Sequence, residues 1–312
     1  MLNFKPKIAF ALGGGGARGL AHIGALKAFE KAGIRPDMIV GTSMGAIMGA
    51  AYAVNPDAEA LEQKVKPLMS NKNLLLLESL AAEDEPAEKR LIIESLAAYA
   101  TDLFLWNLRA IKGYIDDGSE MSNLIKELVD EKNFNEAVIK YACVATDINK
   151  GEEVIFSEGN MLKALMASSS IPGVFPPVED GERLLIDGGI VTLLPAQPAR
   201  KLGADIVIGI NVDKNIQPKE FKQGYDIIFQ ADDIRRHELN LMKMKYADII
   251  IEPDVKNLSW AHFSKIDIMI EKGEEAVNKK ITEIKKKIKA CTIKFIIKKF
   301  IPFGEKFRRI NY

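Results

Sequence analysis

The amino-acid sequence predicts an α/β fold: a mostly parallel central sheet with helices on both faces, a helical insertion and a C-terminal basic amphipathic helix. Short apolar runs alternate with stretches of helical periodicity, which is the pattern of strand-helix-strand units. A content of 47% hydrophobic and 28% charged residues is typical of a folded globular protein. No uninterrupted run of about 18 apolar residues occurs, so we expect no transmembrane helix.

The first elements are predicted within the first 54 residues. Lys7–Leu12 is a short apolar strand, and Ala17–Lys31 follows it with apolar residues at helical spacing. Met38–Val40 is a second strand, and Ala46–Val54 is a helix of small residues. Two strands that each lead into a helix predict neighbouring parallel strands.

The remainder of the chain divides into an insertion and the rest of the sheet. Residues from about 57 to 135 change character, and helices are predicted there at Ala58–Met69, Leu91–Leu108 and Ser122–Val129. The later elements are strands at Ile139–Thr146, Glu153–Phe156, Leu184–Ile186 and Asp205–Asn211, a helix at Pro198–Leu202 and an edge strand at Ala247–Ile251. A turn containing Asn149, Lys150 and Gly151 joins the first two of these strands, which predicts a hairpin.

Ser43 lies in a G-x-S-x-G motif, Gly41-Thr42-Ser43-Met44-Gly45, between a predicted strand and a predicted helix. This is the setting of a nucleophile elbow, in which glycines permit a sharp turn and the helix N-terminus favours developing negative charge. We interpret Ser43 as a catalytic nucleophile. The alternative is a tight turn in which Ser43 only caps the helix.

A glycine-rich loop, Gly13-Gly14-Gly15-Gly16-Ala17-Arg18-Gly19, also joins a predicted strand to a predicted helix. Its Gly14, Gly16 and Gly19 fit G-x-G-x-x-G, which alone is typical of dinucleotide-binding units. Such units need an acidic residue at the end of the second strand, but here Asp37 opens that strand and Gly-Thr-Ser closes it. We therefore expect the loop amides to bind the oxyanion of an acyl-transfer intermediate beside Ser43.

A catalytic serine needs a base that accepts the proton of its hydroxyl. The three histidines, His22, His237 and His262, do not lie where a base is expected, and we assign them packing, surface or structural roles. Asp187 is the better candidate, because it directly follows an apolar strand and parallel strands end at one rim of a sheet. A carboxyl with a pKa of about 4 is a weak base, so burial would have to raise that pKa. The alternative is a plain Asp-Gly turn.

Three segments in this order and spacing, Gly14–Gly19, Gly41–Gly45 and Asp187–Gly189, resemble the patatin-like phospholipase family. Further stretches are similar to its bacterial branch: Ala21–Gly24, Ala145–Asp147, Ser168–Pro177 and Leu202–Asp205. The resemblance covers about residues 6–212 strongly and continues weakly to about 278. Thr192 stands where an asparagine is common in the family, and the insertion has no clear counterpart.

The resemblance implies a three-layer α/β/α fold and a serine–aspartate dyad that needs no histidine, metal or cofactor. Ser43 is then the nucleophile and Asp187 its base, while backbone amides of Gly14, Gly15 and Gly16 hold the oxyanion and Arg18 adds charge. The remaining motif glycines are Gly19, Gly41, Gly45, Gly188 and Gly189. The implied reaction is hydrolysis of acyl esters of lipids, commonly phospholipids, through an acyl-serine intermediate.

Two other functions fit the same residues. An acyltransferase or thioesterase would use the same dyad on another acceptor or ester. A membrane-surface interaction protein would retain the dyad in a catalytically weak form. The helices of the insertion are expected to set acyl-chain and head-group preference, and the sequence makes no prediction of the oligomeric state.

The C-terminal segment 279–312 is strongly basic. It holds 12 of the 43 Lys and Arg residues and 2 of the 43 Asp and Glu residues, so a segment of charge +10 follows a body of charge −10. Apolar residues recur in it at helical spacing, namely Ile281, Ile284, Ile288, Cys291 and Phe295. We expect this amphipathic helix to bind an anionic membrane surface; the alternative is packing on the acidic body. No nucleic-acid partner is expected.

The predicted organisation has three parts: a catalytic domain (6–212) with its insertion, an extension (213–278) and the basic tail (279–312). Cys143 and Cys291 are too few for a disulfide framework, which fits a reducing compartment. The N-terminal apolar run is too short for a secretory signal. We therefore expect a cytoplasmic protein, peripheral on the inner face of the membrane, that acts on a lipid or fatty-acyl ester.

Overall fold

The computed structural model describes residues 5–69, 114, 117–216, 218, 221 and 224–300. The strands are β1 (Ile8–Leu12), β2 (Met38–Thr42), β3 (Lys140–Asp147), β4 (Glu152–Phe156), β5 (Val178–Asp180), β6 (Arg183–Asp187), β7 (Ile206–Ile210) and β8 (Ile249–Ile251). The α-helices are α1 (Ala21–Lys31), α2 (Met44–Val54), α3 (Ala58–Leu68), α4 (Ser119–Val129), α5 (Met161–Ser169), α6 (Ala196–Lys201), α7 (Gly224–Met244) and α8 (Ile266–Phe300).

One mixed sheet of eight strands organises the fold. Its hydrogen-bonded neighbours follow the order β5-β6-β3-β2-β1-β7-β8, with β4 paired to β3 off this path. Five neighbouring strands, β3, β2, β1, β7 and β8, are parallel to one another. Strands β4 and β6 both pair antiparallel with β3. The predicted mostly parallel sheet, the β3–β4 hairpin and the edge position of β8 are confirmed.

Strand β3 brings two distant parts of the chain to the same edge of the sheet. Val144 pairs with both β2 and β4, and Ala145 pairs with both β4 and β6. Because a strand has two edges, β2 and β6 lie end to end on the edge opposite β4. Thr42 is the last residue of β2 opposite Val144, and Asp187 is the residue of β6 opposite Ala145. The residue after Thr42 is Ser43.

Apolar residues cover both faces of the sheet. Side chains alternate along β1, so Phe10 and Leu12 face a large core shared with α1, α2 and α8. Ala9 and Ala11 face a smaller core that includes residues of α6. The sheet therefore lies between two helical layers, as predicted.

Several element boundaries differ from those predicted from the sequence. The predicted helix 17–31 is a 3-10 turn at Gly16–Leu20 followed by α1, because positive φ at Gly16 starts the segment with a tighter turn. Within the predicted insertion, α3 and α4 are present, and α4 begins three residues earlier than predicted. The predicted helix at 91–108 lies outside the described residues.

The predicted tail helix is the second half of a longer element. Helix α8 starts at Ile266 and runs through the predicted boundary at residue 279. Ile284 is fully buried, and Ile281, Ile288 and Cys291 pack against the large core. The first part of the tail's apolar stripe therefore contacts the protein body, with exposed lysines on the other faces. Among the helices that the structure describes, none has an apolar stretch long enough to cross a membrane.

Helices α1 and α8 cross at two glycines. A Cβ atom at Gly24 would lie 1.8 Å from the carbonyl oxygen of Ile270, and one at Gly273 would lie 1.9 Å from that of Ala21. These distances are far below van der Waals contact. The helix backbones therefore touch only because both positions lack a side chain.

Gly273→Ala should destabilise the protein by about 2 kcal/mol or more, because the added methyl group forces the two helices apart. Helix propensity alone predicts the opposite sign, a gain of about 1 kcal/mol. The free energy of unfolding from urea denaturation decides between them. Gly224→Ala is the matched control, since its Cβ would meet no atom within 4 Å. A Gly273→Ala variant as stable as wild type would contradict the tight crossing.

Candidate active site

Ser43 occupies a strained turn between β2 and α2. Its backbone has φ 53° and ψ −126°, a conformation that residues with a side chain rarely adopt. The side chain is 6% exposed, and the residue stands at the N-terminus of α2. This geometry presents the hydroxyl at the carboxyl-end rim of the parallel strands.

The glycines that flank Ser43 are required by close backbone contacts. A Cβ at Gly41 would lie 2.4 Å from the Cα of Ala46, and one at Gly45 would lie 2.3 Å from the carbonyl oxygen of Leu12. At Gly19, a Cβ would lie 2.6 Å from the side chain of Met44. The turn therefore packs directly against β1 and the glycine-rich loop, with no room for a methyl group.

Asp187 faces Ser43 across the junction of β2 and β6. The Ser43 hydroxyl lies near enough to the carboxylate to lower its pKa, and the amide of Gly189 donates to Oδ1 at 2.6 Å. Burial raises the pKa of Asp187 to about 6, although the hydroxyl of Ser43, the amide of Gly189 and the positive charge of Arg236 oppose this shift. Burial therefore shifts this pKa in the direction that a role as base would need.

The two glycines after Asp187 set the position of its carboxylate. A Cβ at Gly188 would lie 2.2 Å from the carbonyl oxygen of Val144, so β6 can leave β3 here only with a glycine. A Cβ at Gly189 would lie 2.9 Å from Oδ1 of Asp187 itself. The glycines thus allow the chain to turn back and place an amide on the carboxylate.

The glycine-rich loop lies against Ser43. A Cβ at Gly14 would be 3.2 Å from the Cβ of Ser43. The Gly14 amide donates to the carbonyl of Leu193 at 3.0 Å, so it is already engaged. The amides of Gly15 and Gly16 have no hydrogen-bond partner among the residues that the structure describes. The sequence predicts that the amides of Gly14, Gly15 and Gly16 bind the oxyanion, and of these the amides of Gly15 and Gly16 are free to donate a hydrogen bond to it.

Arg18 holds the loop rather than pointing a free charge at the nucleophile. Its Nε donates to the carbonyl of Val212 at 3.0 Å and its Nη1 to that of Leu258 at 3.3 Å. Val212 in turn abuts Gly15, where a Cβ would lie 2.9 Å from Cγ2 of Val212. Burial lowers the pKa of Arg18 to about 10, so the guanidinium is charged at neutral pH.

The three histidines have the non-catalytic placements expected for them. His22 is fully buried, and its Nε2 donates to the carbonyl of Gly13 at 2.7 Å. Burial lowers the pKa of His22 to about 4, so the ring is neutral at pH 7 and supports the glycine-rich loop. His237 contacts Asp213, and Nδ1 of His262 accepts from the amide of Ser259. No described hydrogen bond joins a histidine to Ser43.

Two serines of the site were not identified from the sequence. Oγ of Ser168 accepts from the amide of Ser43 at 3.0 Å and donates to the carbonyl of Val144 at 2.7 Å. It therefore ties the elbow to the neighbouring strand. Ser169 is buried beside it, with no hydrogen-bond partner for its hydroxyl among the described residues. Both lie in a stretch that the family resemblance singled out, but no local pattern gave them a role.

A small cavity of about 20 Å³ adjoins Ser43. Its lining includes Ser43, Gly16, Ser169, Met121, Phe175 and Trp260. Most of these groups are apolar, and the volume is about that of one water molecule. The arrangement suits an acyl ester, but an acyl chain can enter only if covering side chains move. No cluster of three or more metal-ligating side chains is found in the described part of the chain.

Known proteins resemble this chain both in sequence and in fold. Patatin-like phospholipase domain-containing protein 6 of Mus musculus is 33% identical over 207 residues, covering 66% of this chain and 13% of that protein. Lysophospholipase nte1 of Aspergillus fumigatus is 29% identical over 205 residues, covering 66% of this chain and 12% of the fungal protein. The chain thus spans about one eighth of the length of these relatives.

Human GIVD cytosolic phospholipase A2 shares the fold, with a TM-score of 0.50 at 12% identity, covering 94% of this chain and 61% of the human one. The sequence model of the family described as patatin-like phospholipase matches residues 10–200, which is more than half of the chain. The matched region contains Ser43, Asp187 and the glycine-rich loop. The chain belongs to the patatin-like phospholipase family.

Proposed function

We propose that this protein is a serine acyl hydrolase in which Ser43 is the nucleophile and Asp187 its base. The observation that carries the proposal is the position of Ser43 beside a buried carboxylate whose pKa is raised to about 6. At neutral pH the carboxylate is ionised and more basic than a carboxylate in water. It is therefore suited to accept the hydroxyl proton without a histidine.

Acylation begins when Asp187 takes the proton from Ser43 and Oγ attacks the ester carbonyl carbon. The carbonyl oxygen becomes negatively charged, and in this proposal the amides of Gly15 and Gly16 stabilise it, together with the N-terminus of α2. Collapse of this intermediate breaks the ester bond. The alcohol leaves with the proton held by Asp187, and the acyl group stays on Ser43.

Deacylation repeats the sequence with water. Asp187, again ionised, takes a proton from a water molecule that attacks the acyl-Ser43 carbonyl. The oxyanion occupies the same site, and the fatty acid departs as Oγ of Ser43 regains the proton. No step requires a metal ion, because the positive ends of amide dipoles compensate the developing charge.

The substrate class follows from the site and from the relatives. The cavity lining beside Ser43 is mostly apolar, as expected for an acyl chain. The relatives are named a patatin-like phospholipase domain-containing protein and a lysophospholipase. We infer that the substrate is an acyl ester of a phospholipid or lysophospholipid, and that side chains such as Met121 and Phe175 move aside to admit it.

The same proposal includes an anionic membrane surface as a partner of the segment 279–312. Exposed lysines on α8 support it, as do Ile293, Ile296 and Ile297, which lie beyond the packed stripe and are exposed. We also propose that the protein associates peripherally with the inner face of the membrane and belongs to the bacterial branch of the family. The proposed division of the chain is a catalytic domain (6–212), an extension (213–278) and a basic tail (279–312). Helix α8 crosses the last of these boundaries.

A panel of lipid substrates tests the function directly. Wild type should release fatty acid from a lysophospholipid or phospholipid, and Ser43→Ala should lower kcat by about 1000-fold or more, because no nucleophile remains. Asp187→Asn should lower kcat by at least about 100-fold, since the amide cannot accept the proton. Fatty-acid release that survives Ser43→Ala, with unfolding temperatures unchanged, would show that the activity is not that of this site.

The pH profile should report the pKa of Asp187. The ionised carboxylate is required, so kcat/KM for a soluble ester should fall as pH decreases through about 6 and level off above it. Arg236→Gln removes a positive charge that lowers this pKa, so it should move the midpoint to higher pH. A midpoint near 4, or one that Arg236→Gln moves downward, would contradict the proposed base.

Ser168→Ala should lower kcat about tenfold with little change in KM, because it leaves the Ser43 amide and the Val144 carbonyl without their buried partner. Ser170→Ala is the matched control, since that hydroxyl donates to the carbonyl of Met166 within the preceding turn. Steady-state kinetics on the same soluble ester compares them. Equal kcat values for the two variants would mean that Ser168 does not position the elbow.

A further inference from the structure

The last residue of β2, Thr42, bonds to the segment that follows Asp187. Its hydroxyl donates to the carbonyl of Thr192 at 3.0 Å, across 150 positions of the sequence. Both threonines are fully buried. Thr42 directly precedes Ser43, and Thr192 lies shortly after Asp187. This one hydrogen bond therefore joins the two chain segments that carry the proposed dyad.

The methyl group of Thr42 makes a separate contact. A Cβ atom at Gly188 would lie 3.2 Å from Cγ2 of Thr42, so this methyl group lies close to the glycine next to Asp187. The amide of Thr192 donates to the carbonyl of Gly188 at 2.7 Å, which closes the turn between these two residues. The side chain of Thr42 thus reaches both ends of the turn.

Thr192 is also held from other directions. Its Oγ1 donates to Oε2 of Glu153 on β4 and accepts from Nζ of Lys243 on α7 at 2.5 Å. The same Nζ lies 3.6 Å from Oε2 of Glu153, so the two charges form an ion pair around the threonine. Because its side chain and its amide are both bonded, Thr192 offers the hydroxyl of Thr42 a fixed acceptor.

The next carbonyl in the chain binds the glycine-rich loop. The amide of Gly14 donates to the carbonyl of Leu193 at 3.0 Å. Two consecutive carbonyls, those of Thr192 and Leu193, thus accept hydrogen bonds from the strand that leads to Ser43 and from the loop beside it. The segment after Asp187 is therefore bonded to both of the other parts of the candidate site.

We propose that Thr42 is a positioning residue whose hydroxyl, by binding the Thr192 carbonyl, holds Ser43 beside Asp187 for proton transfer. This inference rests on the proposed function, because it concerns the alignment of the two residues that perform it. Ser43 stands in a strained turn, which persists only when surrounding contacts restrain the backbone. A buried hydrogen bond on the preceding residue is such a restraint. Without it, the Thr192 carbonyl has no partner among the described residues.

A purely structural role for Thr42 makes a different prediction. Loss of the hydroxyl would then lower the free energy of unfolding, and the folded enzyme would keep its kcat. A positioning role instead lowers kcat in a protein that is still folded. KM should change little, because Thr42 is not among the residues that line the cavity beside Ser43.

Matched substitutions separate the two contacts of the side chain. Thr42→Val removes the hydroxyl and nearly keeps the shape, whereas Thr42→Ser keeps the hydroxyl and removes the methyl group. Thr146→Val is the control, because Thr146 is 2% exposed on the neighbouring strand β3 and its hydroxyl has no partner among the described residues. Steady-state hydrolysis of the soluble ester p-nitrophenyl butyrate gives kcat and KM, and urea denaturation gives the free energy of unfolding.

Thr42→Val should lower kcat about tenfold with KM nearly unchanged. Thr42→Ser should keep most of the wild-type kcat, and Thr146→Val should match wild type. The midpoint of the pH profile of kcat/KM should also rise in Thr42→Val. The reason is that the Ser43 hydroxyl lowers the pKa of Asp187, and this effect weakens when the two residues separate.

Equal kcat values for Thr42→Val and Thr146→Val overturn the proposal. An equal loss in Thr42→Ser also overturns it, because the methyl group would then be responsible. Thr42→Ala compared with Thr42→Ser repeats the test of the hydroxyl if Thr42→Val does not fold. Failure of both Thr42→Val and Thr42→Ala to fold, beside a stable Thr42→Ser, would assign the hydroxyl to the fold alone and overturn the proposal. Hydrolysis that survives Ser43→Ala rejects the proposed function instead, whatever the Thr42 variants show.

Discussion

The placement of Ser43 beside the Asp187 carboxylate is the constraint on which the candidate site depends. It brings together residues 144 positions apart, and it is possible because β2 and β6 end against each other on one edge of β3. The helical layers bury this junction, and burial raises the pKa of Asp187 to about 6. A carboxylate in water would hold the proton too weakly for the role proposed for Asp187, so that role depends on the packing around it.

The strain at Ser43 is maintained by contacts that tolerate only glycine. Gly41 and Gly45 let the elbow press against the chain on both sides, and Gly14 lets the oxyanion loop reach the nucleophile. The loop is held from behind by buried groups, since Arg18 binds the carbonyl of Val212 and His22 that of Gly13. The loop proposed to hold the oxyanion is therefore fixed in place by the protein itself, which is the condition under which amide dipoles contribute most to catalysis.

The sequence predicted best those features of the structure that depend on residues close together in the chain. Apolar runs predicted the strands, and the sharp turn at Ser43 could be inferred because its glycines are adjacent to it. Ser168 was missed because its partner lies 125 residues away and a serine at a helix end has many roles. Helix α7 was missed because its apolar residues face solvent and its charges face the protein, so periodicity alone cannot orient it. The apolar stripe of α8 could be predicted, but its packing on α1 depends on the close approach of Gly24 to Ile270 and of Gly273 to Ala21, residues far apart in the sequence.

Family membership fixes the fold, while the roles of Ser43 and Asp187 rest on the geometry of the site. Peptide mapping by mass spectrometry after treatment with a fluorophosphonate is the most direct measurement of that geometry. The adduct should lie on Ser43, and it should form much more slowly in Asp187→Asn, because the hydroxyl then lacks a base. An adduct on another residue, such as Ser168 or Ser169, or a rate unchanged by Asp187→Asn, would contradict the dyad.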